Sequence, residues 1–77
     1  MTRIEFGLHA PAYVSLRIYD AAGRFVCTLV EGDRAAGLYA ELWYGLDGFG
    51  NAAASGVYFC RLDAGSFTQT RKMILLR

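Results

Sequence analysis

Apolar and polar residues alternate along almost the whole chain, and no segment sustains a helical stripe over three turns. Ile4, Phe6 and Leu8 alternate with Arg3, Glu5 and Gly7, which predicts a first strand. In YVSLRIYD, Val14, Leu16 and Ile18 share one face while Ser15, Arg17 and Tyr19 share the other, which predicts a second. Pro11 stands between the two runs; it cannot donate to a ladder, so it marks a gap or a sheet edge. Asp20-Ala21-Ala22-Gly23 then supplies a carboxylate that can cap a turn and a glycine for positive φ, predicting a hairpin into RFVCTLV. The strongest apolar residues of that run, Val26 and Leu29, are three apart, and such an odd spacing predicts a bulge.

Beyond it, EGDRAAG reads as a polar loop, and Leu38, Ala40 and Leu42 alternate with Tyr39, Glu41 and Trp43 in a strand with large apolar groups on both faces. LDGFGNAAASG is too rich in glycine for a helix despite its alanines. VYFCRL, the turn Asp63-Ala64-Gly65-Ser66 and FTQTRKMILLR form a last hairpin. The result is an all-β chain of six to seven short strands at regular spacing, which predicts an antiparallel β-sandwich or small barrel and excludes α/β folds. Tyr13, Tyr19, Trp43, Tyr58 and Phe59 lie in strands where wide rings can fill the gap between sheets about 10 Å apart, with Trp43 at the centre.

With 77 residues the chain makes one domain, residues 1–77, that buries roughly 60% of its unfolded surface. Its 55% hydrophobic content argues against disorder. A net charge of +1, with both signs interspersed, leaves no footprint for nucleic acid or an anionic membrane. No apolar run is long enough for a membrane span, and MTRIEFGLH lacks the apolar region of a secretory signal.

The chemistry-bearing residues form no reactive constellation. His9 has no Ser, Cys or Asp in recognisable relation to it and reads as a loop residue. Asp20, Asp33, Asp47 and Asp63 fall in predicted turns, where Asp serves local hydrogen bonds, and no loop has the spacing of a calcium site. Gly45, Gly48 and Gly50 are followed by no Lys-Ser/Thr and by no helix to receive an anion, so they are hairpin glycines. No metal, cofactor or catalytic residue is expected. Cys27 and Cys60 lack metal-ligand spacing; a disulfide between them stays open, because it requires Cα atoms within about 4.4–6.8 Å.

VSLRIYDAAGR, AGLYAELWYGLDGFGN and SGVYFCRLDAGSFTQTRKMILLR, in that order and spacing, resemble the immunoglobulin-like domain of the flagellar hook-capping protein FlgD. The same pattern resembles the C-terminal sorting domains of proteins exported by the bacterial type IX secretion system. The resemblance implies a seven-stranded Ig-like β-sandwich without catalysis, an accessory module of a protein secreted or surface-displayed through the periplasm. It also implies that Gly56, Val57, Tyr58, Gly65 and the segment Lys72, Met73, Ile74, Leu75, Leu76 and Arg77 carry sorting or partner binding. Three positions depart from the pattern: Tyr44 stands where the family usually has Asp, Cys60 where it is commonly aromatic, and Cys27 where it is commonly polar.

Two roles follow as expectations, and both require protein partners: the export apparatus, an adjacent domain of the parent, or a second copy. The first is sorting and attachment through type IX secretion. The second is a structural or self-assembling module, like a hook cap or filament subunit, that pairs through edge strands. Tyr39, Tyr44, Phe49 and Phe67 are the candidate interface, since so small a domain cannot bury all of them.

Overall fold

The computed structural model describes residues 1–76, and Arg77 lies outside the described residues. Six strands follow in order: β1 (Thr2–Leu8), β2 (Ala12–Asp20), β3 (Phe25–Arg34), β4 (Gly37–Trp43), β5 (Gly56–Ala64) and β6 (Phe67–Leu75). All neighbours are antiparallel. β1 and β4 make one small sheet, and the other four make a wider one in the order β3-β2-β5-β6. The two sheets form a sandwich with six strands among the described residues, one fewer than the family resemblance implies.

Alternation places the core. Val14, Leu16 and Ile18 of β2, Tyr58, Cys60 and Leu62 of β5, and Ile4 and Phe6 of β1 meet in one buried cluster. Trp43 is 2% exposed, its indole N–H donates to the Leu46 carbonyl at 2.9 Å, and its ring meets Tyr58 edge-on at 5.0 Å. A buried Trp needs both things: apolar walls and a partner for its one polar atom. Tyr13 differs from expectation, since it lies with Ser15 and Arg17 on the outer face of the wide sheet and is exposed. Tyr19 and Phe59 share that outer face at partial burial. Only Trp43 and Tyr58 of the five aromatics reach the buried core.

The turn after β2 matches its sequence signature. Asp20 accepts from the N–H groups of Ala22 and Arg24 and from the Arg24 side chain, and Gly23 takes φ +84°. β3 is irregular, with register shifts against β2 at Leu16/Arg17 and Ile18/Tyr19. The residues it buries are Cys27 and Val30, and Val26 and Leu29 are only partly covered. The expected loop at EGDRAAG starts later than the sequence suggests, because Gly32, Asp33 and Arg34 pair with Val14, Tyr13 and Ala12. Asp33 and Asp63 are consequently strand residues, whereas Asp47 does cap its turn, accepting from the N–H groups of Phe49 and Asn51.

The cysteines are not bonded. Both are buried and free, and both pair with Ile18, Cys27 from one side and Cys60 from the other. Two strand spacings, on the order of 10 Å, separate them. That exceeds disulfide reach.

The unequal widths of the sheets matter most for function. Ile4 and Phe6 of β1 line an enclosed gap with Leu16, Cys60 and Leu62, so β1 lies over the middle of the wide sheet. The small sheet touches β6 where the Arg71 guanidinium donates to the Glu5 carbonyl of β1 at 3.1 Å, and Leu75 near the end of β6 is in the core. Phe67, Gln69 and Arg71 of β6 share the inward register of Ala64, Leu62 and Cys60, yet all three are exposed.

Candidate functional site

The interior offers no chemistry. Burial pushes the Cys60 thiol up to about 11 and raises that of Cys27, so neither is a thiolate near neutral pH. The gap bounded by Ile4, Phe6, Leu62 and Arg71 has a volume of about 10 Å³, the room of roughly one water. No group of three or more His, Cys, Asp or Glu side chains among the described residues is placed to hold a metal. His9 is exposed in the β1–β2 connection. The surface offers more.

The open edges of the wide sheet are the feature of that surface with unmet bonding capacity. A two-residue turn, Gly65-Ser66, joins β5 to β6, with Gly65 at φ +61° and no positive φ at Ser66. Such a turn closes on a hydrogen-bonded pair, here Ala64 and Phe67. Strict alternation then turns the N–H and C=O groups of Gln69, Arg71, Met73 and Leu75 toward β5. Those of Thr68, Thr70, Lys72 and Ile74 point away from the sheet. β6 is exposed on both faces up to Lys72, it is regular, and it carries Arg71 and Lys72 with no acid.

β3, the opposite edge, is different. Its first half is bulged, and the Val26 carbonyl is occupied by the Gly48 N–H at 2.9 Å. Only its second half is open, and there the same alternation carried across β5 and β2 points the backbone groups of Glu31 and Asp33 outward. Both side chains lie on the outer face. The Tyr13 hydroxyl and the Arg17 guanidinium, 3.1 Å away, hold the Glu31 carboxyl below its ordinary value.

The residues singled out from sequence scatter over these features. Lys72 and Ile74 lie on the outer face of β6 and are exposed, as is Leu76. Met73 is half-buried. Leu75 and Tyr58 are core residues, corrected here from contact candidates: Leu75 closes the cluster opposite Gly56, and Tyr58 packs on Trp43 and donates its hydroxyl to the Ala54 carbonyl at 2.6 Å. Gly56 opens β5, Val57 is half-buried opposite Ile74, and Gly65 sets the turn. Arg77 lies outside the described residues.

Among the aromatic candidates, Tyr39 is a correction. Its ring stacks on Phe6 at 5.2 Å and its hydroxyl donates to the Ala35 carbonyl, so it belongs to the small sheet's inner face. Tyr44, Phe49 and Phe67 are exposed, but they do not form one patch. Tyr44 neighbours Leu42 and Leu46, Phe49 neighbours Val26 and Ala53, and Phe67 lies by Leu8 and Pro11. The sequence pattern does not single out Leu38, 93% exposed, or Phe25, because alternation alone does not say which face of a strand with apolar groups on both faces turns inward.

A family model described as FlgD Ig-like domain matches residues 2–66. The match spans β1 through β5 with the Gly65-Ser66 turn and stops ahead of β6. No curated protein and no solved structure matches the chain significantly.

Proposed function

The chain belongs to the FlgD Ig-like domain family, and from that premise we propose that it is a non-catalytic accessory module of an exported bacterial protein that works by contact with other proteins through β6. The observation that carries this is the open edge of β6: a regular strand, exposed on both faces to Lys72, with outward backbone groups at Thr68, Thr70, Lys72 and Ile74. Such an edge templates pairing with another strand unless the protein blunts it. The family is of a structural type, which favours contact over chemistry.

A photo-cross-linking residue at Thr70 or Lys72, compared with one at Arg17 in the middle of the outer face, tests this in producing cells. Adducts from the β6 positions and none from Arg17 are expected. Adducts absent at β6, or equally frequent at Arg17, would sink the reading.

Sorting and attachment through type IX secretion is the second reading. The exposure of Lys72, Ile74 and Leu76 favours it, since these side chains are available for recognition without unfolding. The family match ends before them, so the support is exposure and resemblance alone. A periplasmic reporter fused to the domain in a type IX-competent host should be secreted, and Lys72→Glu with Ile74→Asp should abolish secretion. An unsecreted intact fusion refutes it.

A further inference from the structure

We infer that the strand received by β6 is β3 of a second copy of this chain, so that copies add head to tail and extend the wide sheet. This rests on the contact reading of β6 and names the partner.

Four features agree. The first is direction. In the order β3-β2-β5-β6 every neighbour is antiparallel, so β3 and β5 run one way and β2 and β6 the other. A copy moved sideways without inversion therefore presents β3 antiparallel to β6, with the inner faces of both sheets on one side. An even number of strands makes this automatic.

The second and third are parity. The outward backbone groups of β6 belong to Thr68, Thr70, Lys72 and Ile74, and those on the open half of β3 belong to Glu31 and Asp33. These same residues carry the outer-face side chains. Setting Lys72 opposite Glu31 of the next copy sets Thr70 opposite Asp33, giving about four backbone hydrogen bonds. It also puts Met73 opposite Val30, inner face to inner face, and Arg71 opposite Gly32, which has no side chain to clash with it.

The fourth is charge. β6 brings Arg71 and Lys72, and the open half of β3 brings Glu31 and Asp33 against Arg34 alone. Opposite charges face each other in this arrangement. A two-fold β6–β6 pairing would instead crowd two Arg71-Lys72 pairs, and a β3–β3 pairing would crowd acids. The small sheet reaches β6 through Arg71, whose guanidinium donates to the Glu5 carbonyl of β1, and leaves Thr68, Thr70 and Lys72 exposed to an incoming strand. Because the interface is heterologous and the rotation between copies is the ordinary sheet twist, addition is open-ended.

Proline at an outward-facing edge position removes a donor toward the partner and none toward the sheet. Sedimentation of wild type, Thr70→Pro and Asp33→Pro, each checked for folding by thermal unfolding, is the test. Wild type should form a concentration-dependent ladder, each variant alone should be monomeric, and an equimolar mixture should stop at dimers, since each retains one intact edge. Lys72→Glu, which retains the fold whatever proline does, should weaken association roughly three- to tenfold, and Glu31→Lys in the same chain should restore it. A wild type that stays monomeric at millimolar concentration overturns the inference. So does an Asp33→Pro variant that still dimerises, which would mean β6 pairs with itself. Cross-links from β6 to other proteins alongside a monomeric domain would sink the second-copy partner while leaving the contact reading standing.

Discussion

β3 and β6 are the two outer strands of one sheet, and they solve the edge problem in opposite ways. β3 bends through two register shifts and gives its Val26 carbonyl to Gly48, so half of it is closed to any visitor. β6 follows the shortest regular turn, keeps strict register from Ala64↔Phe67 to Gly56↔Leu75, and is exposed on both faces as far as Lys72. Natural sheets blunt their edges with bulges, charge and covering loops. β3 uses all three, whereas β6 uses only two adjacent positive charges. Those charges deter a copy of β6 and invite an acidic strand. The difference teaches that an open edge is selective when its charge is one-sided.

The largest test of the contrast lies beneath both edges. Trp43 joins the small sheet to Tyr58 of the wide one, its indole edge-on to the Tyr58 ring at 5.0 Å and 2% exposed. Trp43→Ala should cost about 3–5 kcal/mol, much of the stability of a domain this small. Urea unfolding followed by circular dichroism should show a largely unfolded chain. A stable, cooperatively folding variant would mean that the edges, not the centre, hold the sandwich.

Next in size is a pair of adjacent substitutions in β6. By alternation from the turn, the Gln69 N–H faces β5 and the Thr70 N–H faces outward. Gln69→Pro should cost on the order of 2–3 kcal/mol through a lost ladder bond and local distortion. Thr70→Pro should change stability by less than about 0.5 kcal/mol. Equal costs would show that the open edge has been assigned to the wrong residues.

How far the sequence anticipates this contrast depends on the strand. The turn before β3 is legible because Asp20 and Gly23 each have one job that few residues do, and the core role of Trp43 is legible because an indole is hard to place elsewhere. The bulge in β3 is legible as an odd spacing, but the buried pair is Cys27 and Val30, since a bulge changes which residue faces in. In β4, Leu38 and Leu42 compete with Tyr39 and Trp43 on apolar character, and only pairing with β1 decides the outcome. The exposure of β6 is invisible locally: Phe67 and Met73 alternate like core residues, yet Phe67 is exposed and Met73 only half-buried. The separation of Cys27 and Cys60 is likewise a matter of strand order, with Ile18 between them.

The two hairpin turns sharpen the comparison further. Gly65 and Gly23 both occupy the left-handed region, where an added Cβ costs about 1 kcal/mol. The β2–β3 turn has Asp20 to hold it through three contacts, while the β5–β6 turn has a single side-chain bond across it, the Thr68 hydroxyl donating to the Asp63 carboxylate at 2.7 Å. Gly65→Ala should therefore raise the exchange rate of the inward Gln69 amide well ahead of global unfolding. Gly23→Ala should lower global stability by a similar amount without loosening β3 selectively. Hydrogen exchange read residue by residue distinguishes the two, and uniform loosening in both variants would erase the distinction.

The smallest expected effect is acid, and it should fall mainly on one edge. Asp20 is held below its ordinary value first by the Arg24 N–H and further by the Arg24 side chain, and Glu31 first by the Tyr13 hydroxyl and then by Arg17. For a carboxyl depressed in the folded state, stability is present above the unfolded pKa, near 4 for Asp and Glu, and is lost as pH falls through the lower folded value. Both groups are surface-exposed pairs, so the loss should be smaller than that from Gly65→Ala. Both sit on the β2–β3 hairpin, and β6 contains no acid at all. Lowering pH from 6 to 3 should thus loosen β3 amides more than those of the β5–β6 ladder, and Asp20→Asn should remove part of that response. If acid loosened β6 first, the charges that separate the two edges would not be the ones that hold β3 in place.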